Sequence, residues 1–211
     1  MSSKAEEFDR QAREVFAPAY PAIAAQFLEE SGVYKGVCLD LGCGSGYLGL
    51  AFAEQSLLDI YLMDNDPEML AIAKRNVVNR HLEKRVKLMQ ADVHRIPLES
   101  NSVQLVVSRG SMFFWQDQVL AFNEIYRVLA PGGKAFIGGG FGSPEIKRQI
   151  DQEMQRRSPD WLEHLRSKIG PDAPGRYRAI LSKTDIVDYD IDYGAVGLWV
   201  VFGKKEFLGF I

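Results

Sequence analysis

Short apolar segments alternate with amphipathic helical segments over more than one hundred residues of this 211-residue chain. Runs that are apolar over nearly their whole length are typical of strands buried on both faces, as in a parallel sheet. Five such strands are predicted, at residues 36–41, 57–63, 85–90, 102–108 and 134–141. Helical spacing of apolar residues follows three of them, at residues 45–55, from residue 66 onward, and at residues 116–129. The alternation predicts a doubly wound, mostly parallel α/β sheet with helices on both faces.

The remaining segments complete the sheet. Two strand-like runs at residues 185–192 and 196–204 are joined by a turn with no helix between them, so they predict an antiparallel hairpin. Residues 7–26 and 143–183 are helical in pattern. We therefore expect a Rossmann-like sheet of seven strands that ends in a C-terminal antiparallel hairpin.

The composition excludes several classes of protein. A formal net charge of −3 gives no surplus of positive charge for nucleic-acid binding. The two cysteines form neither a disulfide framework nor a zinc pattern, so no metal site is predicted. No apolar run reaches the roughly 20 residues of a membrane span, and the first residues lack the pattern of a signal peptide. We expect a cytoplasmic protein without membrane contact, and nothing in the sequence indicates its oligomeric state.

A glycine-rich loop at residues 40–46 follows the first strand. Open α/β folds bind ligands at this carboxyl edge of the sheet, where glycines let a ligand approach the backbone. Gly44, Gly46 and Gly49 also match the dinucleotide fingerprint G-x-G-x-x-G. A tight structural turn explains the same pattern, so the loop alone does not identify a ligand.

Two acids end the next two strands. Asp64 ends the second, where a carboxylate accepts hydrogen bonds from both hydroxyls of a ribose. The alternative is that Asp64 caps the following helix, but Asp66, followed by Pro67, fits the cap better. Asp92 follows the third strand, and either accepts from an adenine amine or forms an Asx-turn.

Taken together, these segments resemble the class I S-adenosylmethionine-dependent methyltransferases. The matching segments are residues 40–46, 63–70, 91–97 and 127–133, and the resemblance covers about residues 8–141. It implies S-adenosylmethionine as cofactor and S-adenosylhomocysteine as product. The cofactor contacts implied by the resemblance are Tyr20, Asp40, Gly42, Cys43, Gly44, Asp64, Asn65, Asp92, Val93 and Ser108.

The resemblance also implies roles for several of these residues. Asp40 orients the ammonium of the cofactor, Asp64 binds the ribose, and Asp92 with Val93 binds the adenine. Ser108 faces the methionine moiety. A pyrophosphate would disfavour Asp40, which argues against a nicotinamide or flavin cofactor.

We expect one methyltransferase domain over residues 1–211, with a helical cover at residues 1–35. A helical insertion at residues 143–185 is expected to contribute to the acceptor pocket, and the glycines at 138–140 to make room for the substrate or for a mobile cover. Four arginines of the insertion either hold an anionic acceptor or form a solvated helix face: Arg156, Arg157, Arg176 and Arg178.

The predicted reaction is methyl transfer to a small-molecule acceptor by in-line displacement, mainly through positioning. The sequence motifs of nucleic-acid amino-methylating and C5-methylating enzymes are absent after the fourth strand. Candidates for a general base are His94, Asp117, His164 and Tyr177, although most lone histidines are surface or core residues. Two alternatives remain open: an NAD(P)-dependent oxidoreductase and a non-catalytic protein that binds S-adenosylmethionine.

Overall fold

The computed structural model describes residues 3–205, and the strands of this range form a single seven-stranded sheet. In chain order the strands are β1 Lys35–Leu41, β2 Leu57–Asp64, β3 Val86–Gln90, β4 Val103–Arg109, β5 Leu129–Gly140, β6 Tyr189–Gly194 and β7 Gly197–Gly203. Their order across the sheet is β3-β2-β1-β4-β5-β7-β6.

The helices of the described residues lie before and between these strands. They are α1 Lys4–Gln11, α2 Ala19–Ser31, α3 Tyr47–Gln55, α4 Pro67–Asn79, α5 Gln118–Val128, α6 Pro144–Arg157, α7 Trp161–Ile169 and α8 Ala173–Leu181. A π-helical segment, Ala12–Phe16, joins α1 to the turn before α2, and a 3-10 turn, Met112–Phe114, follows β4. Within residues 3–205, no helix combines the length and the apolar character needed to cross a membrane.

The pairing of the strands confirms the predicted fold class. Strands β1 to β5 run parallel, whereas β7 is antiparallel to both β5 and β6. The chain leaves β1 toward β2 and β3 on one side and returns to β4 and β5 on the other. The carboxyl ends of β1 and β4 therefore flank the point where the strand order reverses, which is the usual ligand site of such sheets.

The transition from α5 to β5 differs from the sequence prediction. The helix ends at Val128 and the strand begins at Leu129, five residues before the predicted start at residue 134. Leu129 pairs with Val103 of β4, and the amide of Gly132 donates to the carbonyl of Lys204 at 2.7 Å. Long-range pairing thus draws the turn-forming residues into β5, an interior strand of the sheet.

Aromatic packing joins α2 to the sheet. The ring of Phe27 stacks on Phe136 of β5 with centroids 4.1 Å apart, and meets Trp199 of β7 edge-on at 4.8 Å. Phe27 and Phe136 are each 1% exposed. This cluster ties the N-terminal helices to the C-terminal hairpin, two parts of the chain that are remote in sequence.

The glycines of β5 make room for β7. A Cβ at Gly138 would lie 2.1 Å from the carbonyl oxygen of Leu198, and a Cβ at Gly140 would lie 2.5 Å from the indole nitrogen of Trp199. Gly138 and Gly140 thus leave room for the neighbouring strand. A Cβ at Gly139 would instead lie 3.2 Å from the ring of Phe113 and 3.8 Å from Ile169 of α7. The expectation that this run makes room for a substrate or for a mobile cover stays a prediction.

Replacing Phe27 with alanine is expected to lower the free energy of unfolding by about 3–5 kcal/mol, because it leaves a cavity in the aromatic cluster. Val187→Ala is the matched control: Val187 is 91% exposed, so its loss should stay within about 0.5 kcal/mol. Urea unfolding followed by circular dichroism measures both. Equal losses would contradict the assignment of Phe27 to the core.

Candidate cofactor and acceptor site

A cavity of about 590 Å³ opens at the carboxyl edge of the sheet. The residues that line it come from three places: the ends of β1 to β4 with the loops that follow them, the N-terminal helices α1 and α2 with the π-helical segment between them, and the start of α7. Seven predicted cofactor residues and one predicted catalytic candidate line it: Tyr20, Gly42, Gly44, Asp64, Asn65, Asp92, Val93 and His94.

The glycine loop folds back onto the end of β2. Gly42 and Gly44 have positive φ of 61° and 54°, which favours glycine. The amide of Cys43 donates to the carbonyl of Met63 at 3.0 Å, and that of Gly44 donates to Asp64 Oδ2 at 2.8 Å. A Cβ at Gly44 would lie 2.9 Å from the ring of Phe8, so the loop also leaves room for α1.

Asp64 has a structural role that the sequence argument missed. Its Oδ1 accepts from the amide of Asp66 at 3.0 Å, while Oδ2 holds Gly44. Asp66 itself caps α4 by accepting from the amide of Glu68 at 2.8 Å, as predicted. Each carboxylate oxygen of Asp64 accepts one hydrogen bond and has a second lone pair, so the loop contact does not exhaust its capacity to accept from ribose hydroxyls.

Asp40 is buried beneath the loop and lies outside the cavity lining. Its Oδ2 accepts from the amide of Gly49 at 2.9 Å. Burial raises its pKa from 3.8 to about 7, with Asp64 adding to the shift and the Gly49 amide opposing it. A positive charge bound near the loop would favour the ionised form of Asp40.

Asp92, His94 and Asp117 form a chain of hydrogen bonds. Asp92 Oδ1 accepts from the amide of His94 at 2.9 Å and lies 2.5 Å from His94 Nδ1. The His94 amide is the main cause of a lowered Asp92 pKa. The amide of Asp117 donates to His94 Nε2 at 3.2 Å. Both ring nitrogens of His94 are thus engaged in contacts within the protein.

Ser108 and Cys43 lie outside the cavity lining. The Ser108 hydroxyl is fully buried, donates to the carbonyl of Leu41 at 2.8 Å and contacts Ser111 Oγ at 2.6 Å. Ser111 lines the cavity in its place. Burial raises the pKa of the Cys43 thiol, which fits a small structural side chain in the loop.

The other three candidate bases are not among the residues that line the cavity. Asp117 caps α5 by accepting from the amide of Leu120 at 2.9 Å. His164 is exposed on α7, and Tyr177 is buried on α8, where burial raises its pKa. The structure brings none of the three to the cavity.

The helical cover supplies lining residues that the sequence did not identify as such. Phe8, Gln11 and Ala12 line the cavity beside Phe16 and the predicted cofactor residue Tyr20. Phe8 belongs to an apolar helical face that sequence patterning does detect, but the patterning does not show what that face covers.

The insertion contributes less than expected. Of its described residues, Trp161 alone lines the cavity, and its indole nitrogen donates to Asp151 Oδ1 at 2.8 Å. None of the four arginines named above lines the cavity. Arg157 pairs with Glu153 and Glu14, a solvated contact between helices.

The residues present fit S-adenosylmethionine. Three carboxylates, those of Asp64, Asp66 and Asp92, line one end of the cavity, and the positive sulfonium and ammonium of the cofactor suit such a surface. A Cβ at Gly42 would lie 2.3 Å from that of Ser111, so only the bare backbone fits there. Among residues 3–205, no group of three or more His, Cys, Asp or Glu side chains is arranged to hold a metal.

Comparison with known proteins decides the family. A family model described as a methyltransferase domain matches residues 39–137. The uncharacterized methyltransferase YdaC of Bacillus subtilis is 32% identical over 134 residues, which is 60% of this chain and 71% of YdaC. A solved structure from Methanococcus maripaludis, assigned as an S-adenosylmethionine-dependent methyltransferase, is 39% identical over 100% of both chains, with a TM-score of 0.93.

The chain belongs to the S-adenosylmethionine-dependent methyltransferases. The predicted family and its cofactor are thereby confirmed. A demethylmenaquinone methyltransferase of Thermus thermophilus is 35% identical over 100 residues, 47% of this chain and 44% of that enzyme. The match likewise spans 44% of the length of the mycobacterial relatives, which are uncharacterized methyltransferases.

Asp40→Asn is expected to change the pH dependence of stability. A carboxyl whose pKa rises from 3.8 to about 7 on folding costs stability as the pH rises through that window, because the unfolded chain ionises first. At about 1.36 kcal/mol per pKa unit, the loss approaches ~4 kcal/mol by pH 7. The free energy of unfolding of Asp40→Asn should not show this fall with pH.

Urea unfolding between pH 4 and pH 8, without cofactor, measures the effect. Asp59→Asn, at an exposed position of β2, is the control and should keep the slope of the parent protein. Parallel curves for the parent protein and Asp40→Asn would show that Asp40 ionises normally.

Proposed function

We propose that this protein transfers the methyl group of S-adenosylmethionine to a small-molecule acceptor, mainly by positioning the two reactants. The observation that carries the proposal is the cavity at the strand-order reversal, where predicted cofactor residues and an aromatic surface line one space. The Thermus relative, named for a quinone substrate, supports a small acceptor.

Named residues hold the cofactor in this proposal. Asp64 and Asn65 bind the ribose, Asp92 with the Val93 amide binds the adenine, and the backbone around Gly42 contacts the methionine tail. When bound, S-adenosylmethionine would supply a methyl group activated by its sulfonium, and attack of the acceptor on the methyl carbon, in line with the carbon–sulfur bond, would release S-adenosylhomocysteine.

The acceptor is placed by the opposite wall of the cavity. Phe16, Phe114, Trp115 and Trp161 supply apolar surface there, which orients the acceptor and excludes water. Because both ring nitrogens of His94 are engaged, we assign no general base to the cavity. Alignment and desolvation of the acceptor then provide the acceleration.

The proposal extends to the organisation of the chain. We treat residues 1–211 as one methyltransferase domain that acts without nucleic acid. Cys38 and Cys43 are free thiols, which agrees with a reducing compartment, and we propose the cytoplasm.

Asp64→Asn is expected to weaken S-adenosylhomocysteine binding by tenfold or more, because hydrogen bonds from ribose hydroxyls to a charged group contribute about 1.5–3 kcal/mol. Asp66→Asn should have a smaller effect, since asparagine caps a helix as well as aspartate does. Calorimetry with purified protein measures both affinities, and thermal melts confirm that each variant folds. Equal losses would contradict the ribose assignment.

Incubating the protein with methyl-labelled S-adenosylmethionine and a small-molecule cell extract should transfer label to a compound that gains one methyl group in mass. Asp59→Asn, remote from the cavity, should label that compound as well as the parent protein does, and Asp64→Asn much less. Cofactor binding with no labelled compound would favour a non-catalytic binding protein. NADH binding without S-adenosylhomocysteine binding would favour an oxidoreductase.

A further inference from the structure

Arg109, the last residue of β4, brings a positive charge to the cavity without an anionic partner. No other lysine or arginine of the described residues lines this space. Its Nε donates to the carbonyl of Gly140 at 2.8 Å, which fixes the plane of the guanidinium. Within residues 3–205, its two terminal amino groups make no hydrogen bond and no carboxylate forms an ion pair with it.

Three aromatic rings surround the guanidinium. Its carbon lies 4.8 Å from the ring centroid of Phe16, 5.5 Å from that of Tyr20 and 5.6 Å from that of Phe141. These faces attract the cation but offer no hydrogen-bond acceptor to its amino groups. Burial lowers the pKa of Arg109, an effect that Tyr20 opposes. Arg109 is partly buried, and an anion in the cavity would complete the contacts of its amino groups.

Arg109 lies across the reversal point from the residues assigned to the ribose and the adenine. Asp64 ends β2 and Asp92 follows β3, whereas Arg109 ends β4. Of the cofactor residues predicted from the sequence, Tyr20 lies against Arg109, with its ring centroid 5.5 Å from the guanidinium carbon. We place the acceptor on the β4 side because the ribose and adenine residues lie on the other.

We propose that Arg109 binds a carboxylate of the methyl acceptor. The planar guanidinium presents two free amino groups, the arrangement that pairs with both oxygens of a carboxylate. Trp115 and Trp161 line the same cavity and suit an apolar or aromatic body attached to that group. The acceptor class is thus a small carboxylic acid with an apolar portion. This assignment rests on the proposed methyltransferase function.

The test compares acids with their neutral amides. Phenylacetate, indole-3-acetate and hexanoate are titrated by calorimetry into the protein saturated with S-adenosylhomocysteine, alongside the three matching amides. At least one acid is expected to bind tenfold or more tightly than its amide, in keeping with the strength of charged hydrogen bonds. Arg109→Gln should remove this preference, and Arg109→Lys should retain part of it.

A second arm separates the carboxylate of the acceptor from that of the cofactor. S-adenosylhomocysteine and 5′-methylthioadenosine, which lacks the amino-acid carboxylate, are titrated into the parent protein and into Arg109→Gln. The proposal expects the ratio of the two affinities to be the same in both proteins. A ratio that falls tenfold in the variant would assign Arg109 to the cofactor and overturn the proposal.

Controls keep the outcomes distinct. Arg178→Gln removes an exposed arginine of α8 that does not line the cavity. It should change neither the preference for acids over amides nor the ratio of the affinities for S-adenosylhomocysteine and 5′-methylthioadenosine. Thermal melts check folding, and Arg109→Lys preserves the charge if Arg109→Gln is unstable. A parent protein that binds acids and amides equally would overturn the acceptor assignment. Failure to bind S-adenosylhomocysteine at all would instead overturn the proposed function.

Discussion

The carboxylate of Asp64 holds together the chain segments that build the cofactor end of the cavity. One oxygen accepts from the amide of Gly44 in the loop after β1, and the other accepts from the amide of Asp66 at the start of α4. A buried amide without a partner is costly, so the loop conformation depends on this acceptor. The same side chain ends β2 and faces the cavity, and therefore couples the shape of the loop to ligand binding.

A second buried carboxylate attaches the N-terminal cover to this framework. Asp9 of α1 accepts from the hydroxyl of Tyr47 at 3.0 Å and from Asn76 Nδ2 at 3.4 Å. Asn76 also donates to the carbonyl of Ser45 at 3.0 Å, within the glycine loop region. Because α1 is tied to both α3 and α4, Phe8 is held against Gly44. The cover thus closes the cavity through polar contacts as well as apolar packing.

Local sequence patterns were sufficient for the number of strands, their direction and the Asp66 cap, but not for the start of β5. They were insufficient where a contact joins distant segments. Ser108 bonds the carbonyl of Leu41, 67 residues earlier, and so lies behind the lining rather than in it. The Asp117 amide engages His94 Nε2 across 23 residues, which no spacing rule anticipates. The close approach of Trp199 leaves no room for a side chain at Gly138 and Gly140, which the sequence of β5 alone does not indicate.

The charges around the cavity give the proposed acceptor a physical rationale. The cofactor brings a sulfonium and an ammonium to a site whose carboxylates lie toward β2 and β3, while Arg109 adds a third positive group from β4. Like charges at close range disfavour one another in a water-poor site. An acceptor carboxylate at Arg109 offsets that repulsion, so each ligand favours the binding of the other. In this proposal the charges of the site bring both reactants together.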